Sequence, residues 1–273
     1  MQTLHNGKPA QSLPFEDRGW ALGDALFETL LVRQGRAVWL DEHLQRLQQG
    51  CAQIQLDFPE KALRTEIDAL LKSHPSERAV LRLCLSRDSL GLRGYAAATR
   101  TPHRYCQIVP VPEPVREYWE QGVRAFVAQT RLPEQGQLAG IKHTNRLPHV
   151  LARAERPQSD FSEGLMLSVS GLVIEGIASN CFIAKNEVLF TPLLDQAGVA
   201  GIARKKVIQS AQVAGVPVIE RRLTMADITA ADELFFCNSL IGLWPVRQLD
   251  CLSYSSFKLC QWVQRDLESV WYG

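Results

Sequence analysis

No run of this chain approaches the roughly eighteen consecutive apolar residues that a membrane-spanning helix needs. No basic block breaks the near balance of 30 Lys+Arg against 29 Asp+Glu, so the electrostatic footprint of a nucleic-acid binder is missing. The seven cysteines (51, 84, 106, 181, 237, 251 and 260) are odd in number and contain no C-x-x-C pair. That spacing argues against a disulfide framework and against a structural zinc site. "MQTLHNGKPA" lacks a basic segment followed by an apolar run, so no signal peptide is expected. There is no G-x-G-x-x-G after a strand and no G-x-x-x-x-G-K-[ST], which removes the dinucleotide and P-loop readings. His43, His143 and His149 match no usual ligand spacing, and no metal is expected. No internal repeat or low-complexity segment is visible. What is present is 273 residues, 46% hydrophobic and 22% charged, with a formal charge of +1. This is the balance of a soluble cytoplasmic protein with one large or two modest domains.

Strand and helix patterns alternate through the first third. "LFETLLVRQGRAVWL" reads as two strands joined at Gln34-Gly35. "DEHLQRLQQGCAQIQL" reads as a helix with Leu44, Leu47, Cys51 and Ile54 on one stripe, and "PEKALRTEIDALLKSH" as a helix opened by Pro59. "RAVLRLCLSR" and "RYCQIVPVP" read as strands around a glycine-rich excursion. The proline-rich "VPVPEPVREYW" then marks a boundary. The expected division is a smaller N-terminal α/β domain over 1–112, a linker over 113–121 and a larger domain over 122–273. In the latter, strands are expected at "GVRAFVAQT", "GLMLSV", "LVIEG", "NCFIAK", "EVLFTP", "VPVIERRL" and "ELFFCNS". Helices are expected at "HVLARAERP", "GIARKKVIQSAQVAG" and "SSFKLCQWVQRDLESVW". Two α+β domains with mixed sheets fit this order better than a doubly wound fold.

Several residues stand out, each with an ordinary alternative. "DQAGVAGIARKK" puts two glycines before a helix start, where the amides of Ile202 and Ala203 could receive a phosphate; many helices begin after glycine. Arg46 lies off the apolar stripe, in line with His43 and Gly50, and a solvated face is the default for it. Glu175 closes an apolar strand and needs a cation or N–H partner if desolvated, or else sits in a surface turn. Asn238 and Ser239 follow an apolar strand, at a pocket rim or as a loop cap. Lys142, in "GIKHTNR", follows a glycine and an aliphatic residue, or is simply a solvated cation at a helix start.

Six stretches occur in one order: "DRGWALGDALFETLLV", "EHLQRL", "GIKHTNRLPHVLARAE", "EGLMLSVSGLVIEGIASNCFI", "TPLLDQAGVAGIARKKVI" and "ADELFFCNSLIGLWPV". They resemble the fold-type IV pyridoxal-phosphate enzymes, which include D-amino-acid and branched-chain aminotransferases, and the likeness runs from about residue 3 to 250. The long "KHxNRLxxVLxRAE" and "FFCNSLxGxWPV" matches look like the lyases of that family, which convert 4-amino-4-deoxychorismate to 4-aminobenzoate and pyruvate. The aminotransferases are the alternative. The resemblance implies a D-amino-acid aminotransferase-like α+β fold, pyridoxal 5′-phosphate bound chiefly by the larger domain, and a homodimer. It makes Lys142 the lysine that bonds the cofactor and Glu175 the partner of the pyridine nitrogen. Arg46, with the Ile202 and Ala203 amides, matches the phosphate ligands, and Ser239 and Leu240 the opposite loop of that cup. Asn180 looks like a supporting residue there. Phe27 stands where the D-amino-acid aminotransferase has a tyrosine, and no Arg-x-His carboxylate trap is found. Thr29, on the strand face of Phe27, is a candidate hydroxyl near Lys142. Arg93 and Asn238 are the candidate substrate contacts, with Arg146 as a weaker one paired to Glu155 or solvent.

Overall fold

The structure is a computed structural model that describes residues 2–12, 14–74, 77–91, 94–96, 99–111, 115–156 and 160–271. Arg93 lies outside the described residues. The chain forms two units, Met1–Glu113 with Ile141–Asn145, and Pro114–Gly140 with Arg146–Gly273. The sequence reading assigns Ile141–Asn145 to the larger domain. In the structure these five residues belong with the N-terminal unit.

The N-terminal unit contains β1 (Gln2–His5), β2 (Lys8–Pro9), α1 (Arg18–Leu22), β3 (Ala25–Arg33) and β4 (Arg36–Ala37). It continues with α2 (Leu40–Gln53), α3 (Glu60–Ser73), β5 (Arg78–Arg87) and β6 (Pro102–Pro110). The strands pair in the order β2-β1-β6-β5-β3-β4, antiparallel at every junction. Gln34 and Gly35 both take positive φ (48° and 71°), as a two-residue hairpin turn requires. Period two divides β3: Leu26, Glu28, Leu30 and Val32 face one way, and Phe27 and Thr29 the other. α2 packs on the first face, so closely that a Cβ on Gly50 would stand 2.9 Å from Leu26 Cδ1. The line through His43, Arg46 and Gly50 is therefore not a solvated face. His43 and Gly50 are buried, and the Arg46 side chain is only 10% exposed. Ile54 falls just past the helix end.

The second unit contains α4 (Arg116–Glu120), β7 (Val123–Val127), α5 (Leu147–Ala154), β8 (Phe161–Leu167), β9 (Val173–Gly176) and β10 (Asn180–Lys185). Then come β11 (Val188–Pro192), α6 (Ile202–Val213), β12 (Val218–Arg221), α7 (Met225–Thr229), β13 (Glu233–Asn238), β14 (Gly242–Leu249), β15 (Leu252–Ser253) and α8 (Lys258–Trp271). The strand order is β12-β11-β10-β13-β14-β7-β8-β9, with β15 beside β14. The β11–β12, β14–β7 and β7–β8 pairs are parallel and the others antiparallel, so this sheet is mixed. Val173 in β9 bridges back to Leu223, just beyond β12, and the sheet curls until its two ends approach. One core cluster gathers Leu165, Val173, Cys181, Phe236 and Val246; another gathers Phe126, Ala152, Met166 and Ile174. α4, with Trp119 buried, occupies the stretch expected to be a linker.

Candidate active site

Lys142 is presented by backbone pairing rather than by a helix. The Phe27 N–H donates to Lys142 O (2.9 Å) and the Thr144 N–H to Ala25 O (3.0 Å), with an antiparallel bridge between Leu26 and His143. Residues 141–145 thus run alongside the start of β3, joined to it by one bridge and two backbone hydrogen bonds. Thr144 Oγ1 (3.2 Å) and Asn145 Nδ2 (3.0 Å) both donate to Gly23 O. Gly23 has φ 68°, and a Cβ there would stand 2.0 Å from Asn145 Oδ1, so only glycine fits. The Lys142 side chain is half-buried, with Nζ 4.5 Å from the centroid of the Phe27 ring. This is not a freely solvated cation. Thr29 is two residues further along the same face of β3, also half-buried.

On the opposite face of β3, Glu28 is 1% exposed and bound by two partners from α2. Arg46 Nε donates to Oε1 (2.8 Å) and Arg46 Nη2 to Oε2 (2.5 Å), while His43 Nδ1 lies 2.6 Å from Oε2. Burial opposes ionisation of Glu28, but the Arg46 charge and the hydrogen bonds from Arg46 and His43 outweigh it and hold the carboxyl down at about 2. Burial lowers the pKa of His43 against the opposing pull of Glu28. The group is therefore balanced as one anion, one guanidinium and a neutral imidazole that donates to Glu28. Both Nε and Nη2 of Arg46 are committed to this fork. Arg46 is oriented by a buried carboxylate, an arrangement absent from the sequence reading. The available signal was Glu28 itself, a charge on the apolar side of a strand, which must find a partner.

In the second unit, Glu175 is 4% exposed and no surface turn. Its Oε1 lies 3.1 Å from His149 Nε2, and its Oε2 accepts the Val199 N–H at 2.8 Å. Asn180 Nδ2 donates to the carbonyl of the same Val199 (2.8 Å), so both polar groups of that peptide residue are held. Gly198 has φ 88°, and a Cβ on it would meet Ile174 Cγ2 at 2.8 Å and Glu175 Oε2 at 3.3 Å. Gly201 then caps α6 with no side-chain hydrogen bond, leaving the Ile202 and Ala203 amides at the start of the helix. Arg204, in the same turn, points away to Thr191, Pro192 and Glu220.

Asn238 turns out to be a loop cap. Its Oδ1 accepts the Leu240 and Ile241 N–H groups (2.8 and 2.9 Å), and its Nδ2 donates to Ala178 O (2.9 Å). The Leu240 amide is thus taken by Asn238, and Trp271 Nε1 donates to Ser239 O (3.1 Å). Glu155 accepts from the Gln129 and Thr130 amides and from Thr130 Oγ1, not from Arg146. Arg146 instead stands at the start of α5 beside His149. Among the described residues no group of three His, Cys, Asp or Glu could hold a metal ion.

The chain is 35% identical over 243 residues to the aminodeoxychorismate lyase of Vibrio harveyi, covering 88% of this chain and 89% of that one. It is 28% identical to the D-alanine aminotransferase of Bacillus licheniformis, over 92% and 89% of the two chains. The crystal structure of 4-amino-4-deoxychorismate lyase from Pseudomonas aeruginosa matches with a TM-score of 0.94 and 41% identity, covering 98% of each chain. The family described as amino-transferase class IV matches residues 25–249. With that span including β3, the Lys142 segment, Glu175 and the start of α6, the chain belongs to the amino-transferase class IV family.

Proposed function

We propose that the chain cleaves 4-amino-4-deoxychorismate to 4-aminobenzoate and pyruvate. It is a pyridoxal 5′-phosphate-dependent lyase of fold type IV. The observation that carries this reading is the 41% identity to a solved lyase of that name over 98% of both chains. The donors present suit the cofactor: a half-buried amine, a buried carboxylate, and a helix start without a side-chain cap, preceded by glycines that tolerate no Cβ. Lys142 would hold the aldehyde carbon and Glu175 the ring nitrogen. The phosphate would take Arg46, the Ile202 and Ala203 amides and the Ser239–Leu240 loop, with Asn180 keeping Val199 in place.

When bound, the cofactor supplies a protonated pyridine ring that takes up an electron pair. Lys142 would serve as the general base, taking the proton from the substrate's amine-bearing carbon and returning a proton to the departing enolpyruvate. Glu175 would face the ring nitrogen and favour its protonated form. Thr29 supplies a hydroxyl on the Lys142 side of β3. Phe27 carries no hydroxyl, so it offers the lysine an aromatic face and no hydrogen bond. Arg93 and Asn238 are the candidate contacts for the substrate carboxylates, and for Asn238 the contact would compete with its loop-capping bonds.

The chain acts as a cytoplasmic homodimer. Phe15, Trp20 and Tyr95 are exposed on the first unit, and Leu147, Val150 and Leu151 form an exposed apolar stripe on α5, the kind of surface that a second copy covers. All seven cysteines are free, which suits a reducing compartment. The test is incubation of the purified holoenzyme with 4-amino-4-deoxychorismate and no keto acid. Equal amounts of pyruvate and 4-aminobenzoate over many turnovers are expected, and Lys142→Ala should abolish them. A strict need for a keto-acid acceptor, with rapid use of D-alanine, would make the chain an aminotransferase instead.

A further inference from the structure

Within the second unit, His149 enters from α5 with its side chain 12% exposed and brings Nε2 to Glu175 Oε1. Its other ring nitrogen, Nδ1, is buried without a hydrogen-bond partner among the described residues. That orphan bears on which ring nitrogen carries the proton. A charged ring would bury an unpaired N–H at Nδ1, and it would face the Arg146 guanidinium, whose Nη1 is 3.5 Å from Nε2. A neutral ring with its proton on Nδ1 would bury the same unpaired donor and turn a lone pair toward a carboxylate oxygen at 3.1 Å, offset only by a long 3.5 Å contact from Arg146 Nη1. Only the neutral Nε2–H form leaves a lone pair unsatisfied in place of a donor and also gives Glu175 a hydrogen bond.

We propose that His149 is the positioning residue of Glu175: its Nε2–H holds one carboxylate oxygen while the Val199 N–H holds the other. The carboxylate is thereby fixed in direction by one donor on each oxygen. This inference rests on the assignment of Glu175 to the ring nitrogen of the cofactor. Leucine at 149 would remove the donor. Glutamine would keep an N–H at similar reach, and asparagine would stop short.

The experiment compares the holoenzyme with His149→Leu, His149→Gln and Glu175→Gln, using cofactor labelled with nitrogen-15 in its ring. The readouts are the ring-nitrogen chemical shift, kcat and KM. His149→Leu should move the resonance toward the deprotonated value and lower kcat roughly tenfold, as loss of one hydrogen bond to a charged group implies. KM should change little, and His149→Gln should restore both the resonance and kcat. If His149→Leu fails to fold, His149→Asn takes its place with the same expectations. A wild-type resonance and kcat in the Leu or Asn variant, or no recovery with Gln, overturns the proposal. If Glu175→Gln moves both readouts while the His149 variants move neither, only the role of His149 falls. If Glu175→Gln also moves neither, the assignment of Glu175 falls with it.

Discussion

Arg46 is one of three residues that close a charge balance inside the protein, and Glu28 is the centre of it. Its carboxyl has an ordinary value near 4.5 and about 2 in the fold, so the unfolded chain binds the proton more readily. The resulting stabilisation is complete above about pH 4.5 and is lost as pH falls toward 2. Its size is on the order of 3 kcal/mol at neutral pH. Glu28→Gln should therefore lower the urea midpoint strongly at pH 7, and the gap to wild type should narrow by roughly 2 kcal/mol at pH 3. A gap of equal size at both pH values would show that Glu28 acts through packing and not through its charge. The sequence marks Arg46 by its resemblance alone, because a side chain off the apolar stripe looks solvated until β3 is laid beneath it.

At the scale of elements, the segment from Gly198 to Ala203 joins the carboxylate to the helix start, and its glycines are where it is most constrained. Gly201 has φ −65°, open to any residue, yet a Cβ there would stand 1.9 Å from Asn180 Oδ1. Gly201→Ala should break the Asn180–Val199 hydrogen bond and shift the first amides of α6. Cofactor affinity should fall by at least about tenfold, read by fluorescence titration of the apoprotein. Wild-type affinity would mean that the start of α6 does not contribute to cofactor binding. Most elements were legible from their periods: β5 and β10 have the bounds expected, and α6 ends at Val213 with Gly215 in positive φ just beyond. β14 was not. Pro245 interrupts its strand signal, and the pairing to β7 begins only at Val246, past the proline. The β1–β2 hairpin was carried by Asn6-Gly7, both at positive φ, a turn signal the reading left unused.

For the whole molecule, the exposed stripe on α5 makes a prediction about assembly. Leu151→Asp should shift the protein toward monomer in sedimentation at micromolar concentration, with little change in the melting temperature of the isolated chain. An unchanged sedimentation coefficient would remove α5 from the interface. No helix among the described residues is long and apolar enough to cross a membrane, in keeping with the composition.

The sequence by itself determined the α+β class, most strands and helices and the family, and it marked Lys142 and Glu175 as the candidate lysine and carboxylate of the site. Apolar periods repeat within a few residues, and the family's long motifs are read residue by residue, so both kinds of information are local. Tertiary structure alone decided which groups partner the buried charges. Glu28 is 15 and 18 residues from His43 and Arg46, and Glu175 is 26 from His149, in each case on a different element. It also decided that Ile141–Asn145 belongs with β3, since a five-residue segment is defined by the edge it bridges and has no period long enough to read. A buried charge states that it needs a partner; only the packing of elements brings that partner within hydrogen-bond reach.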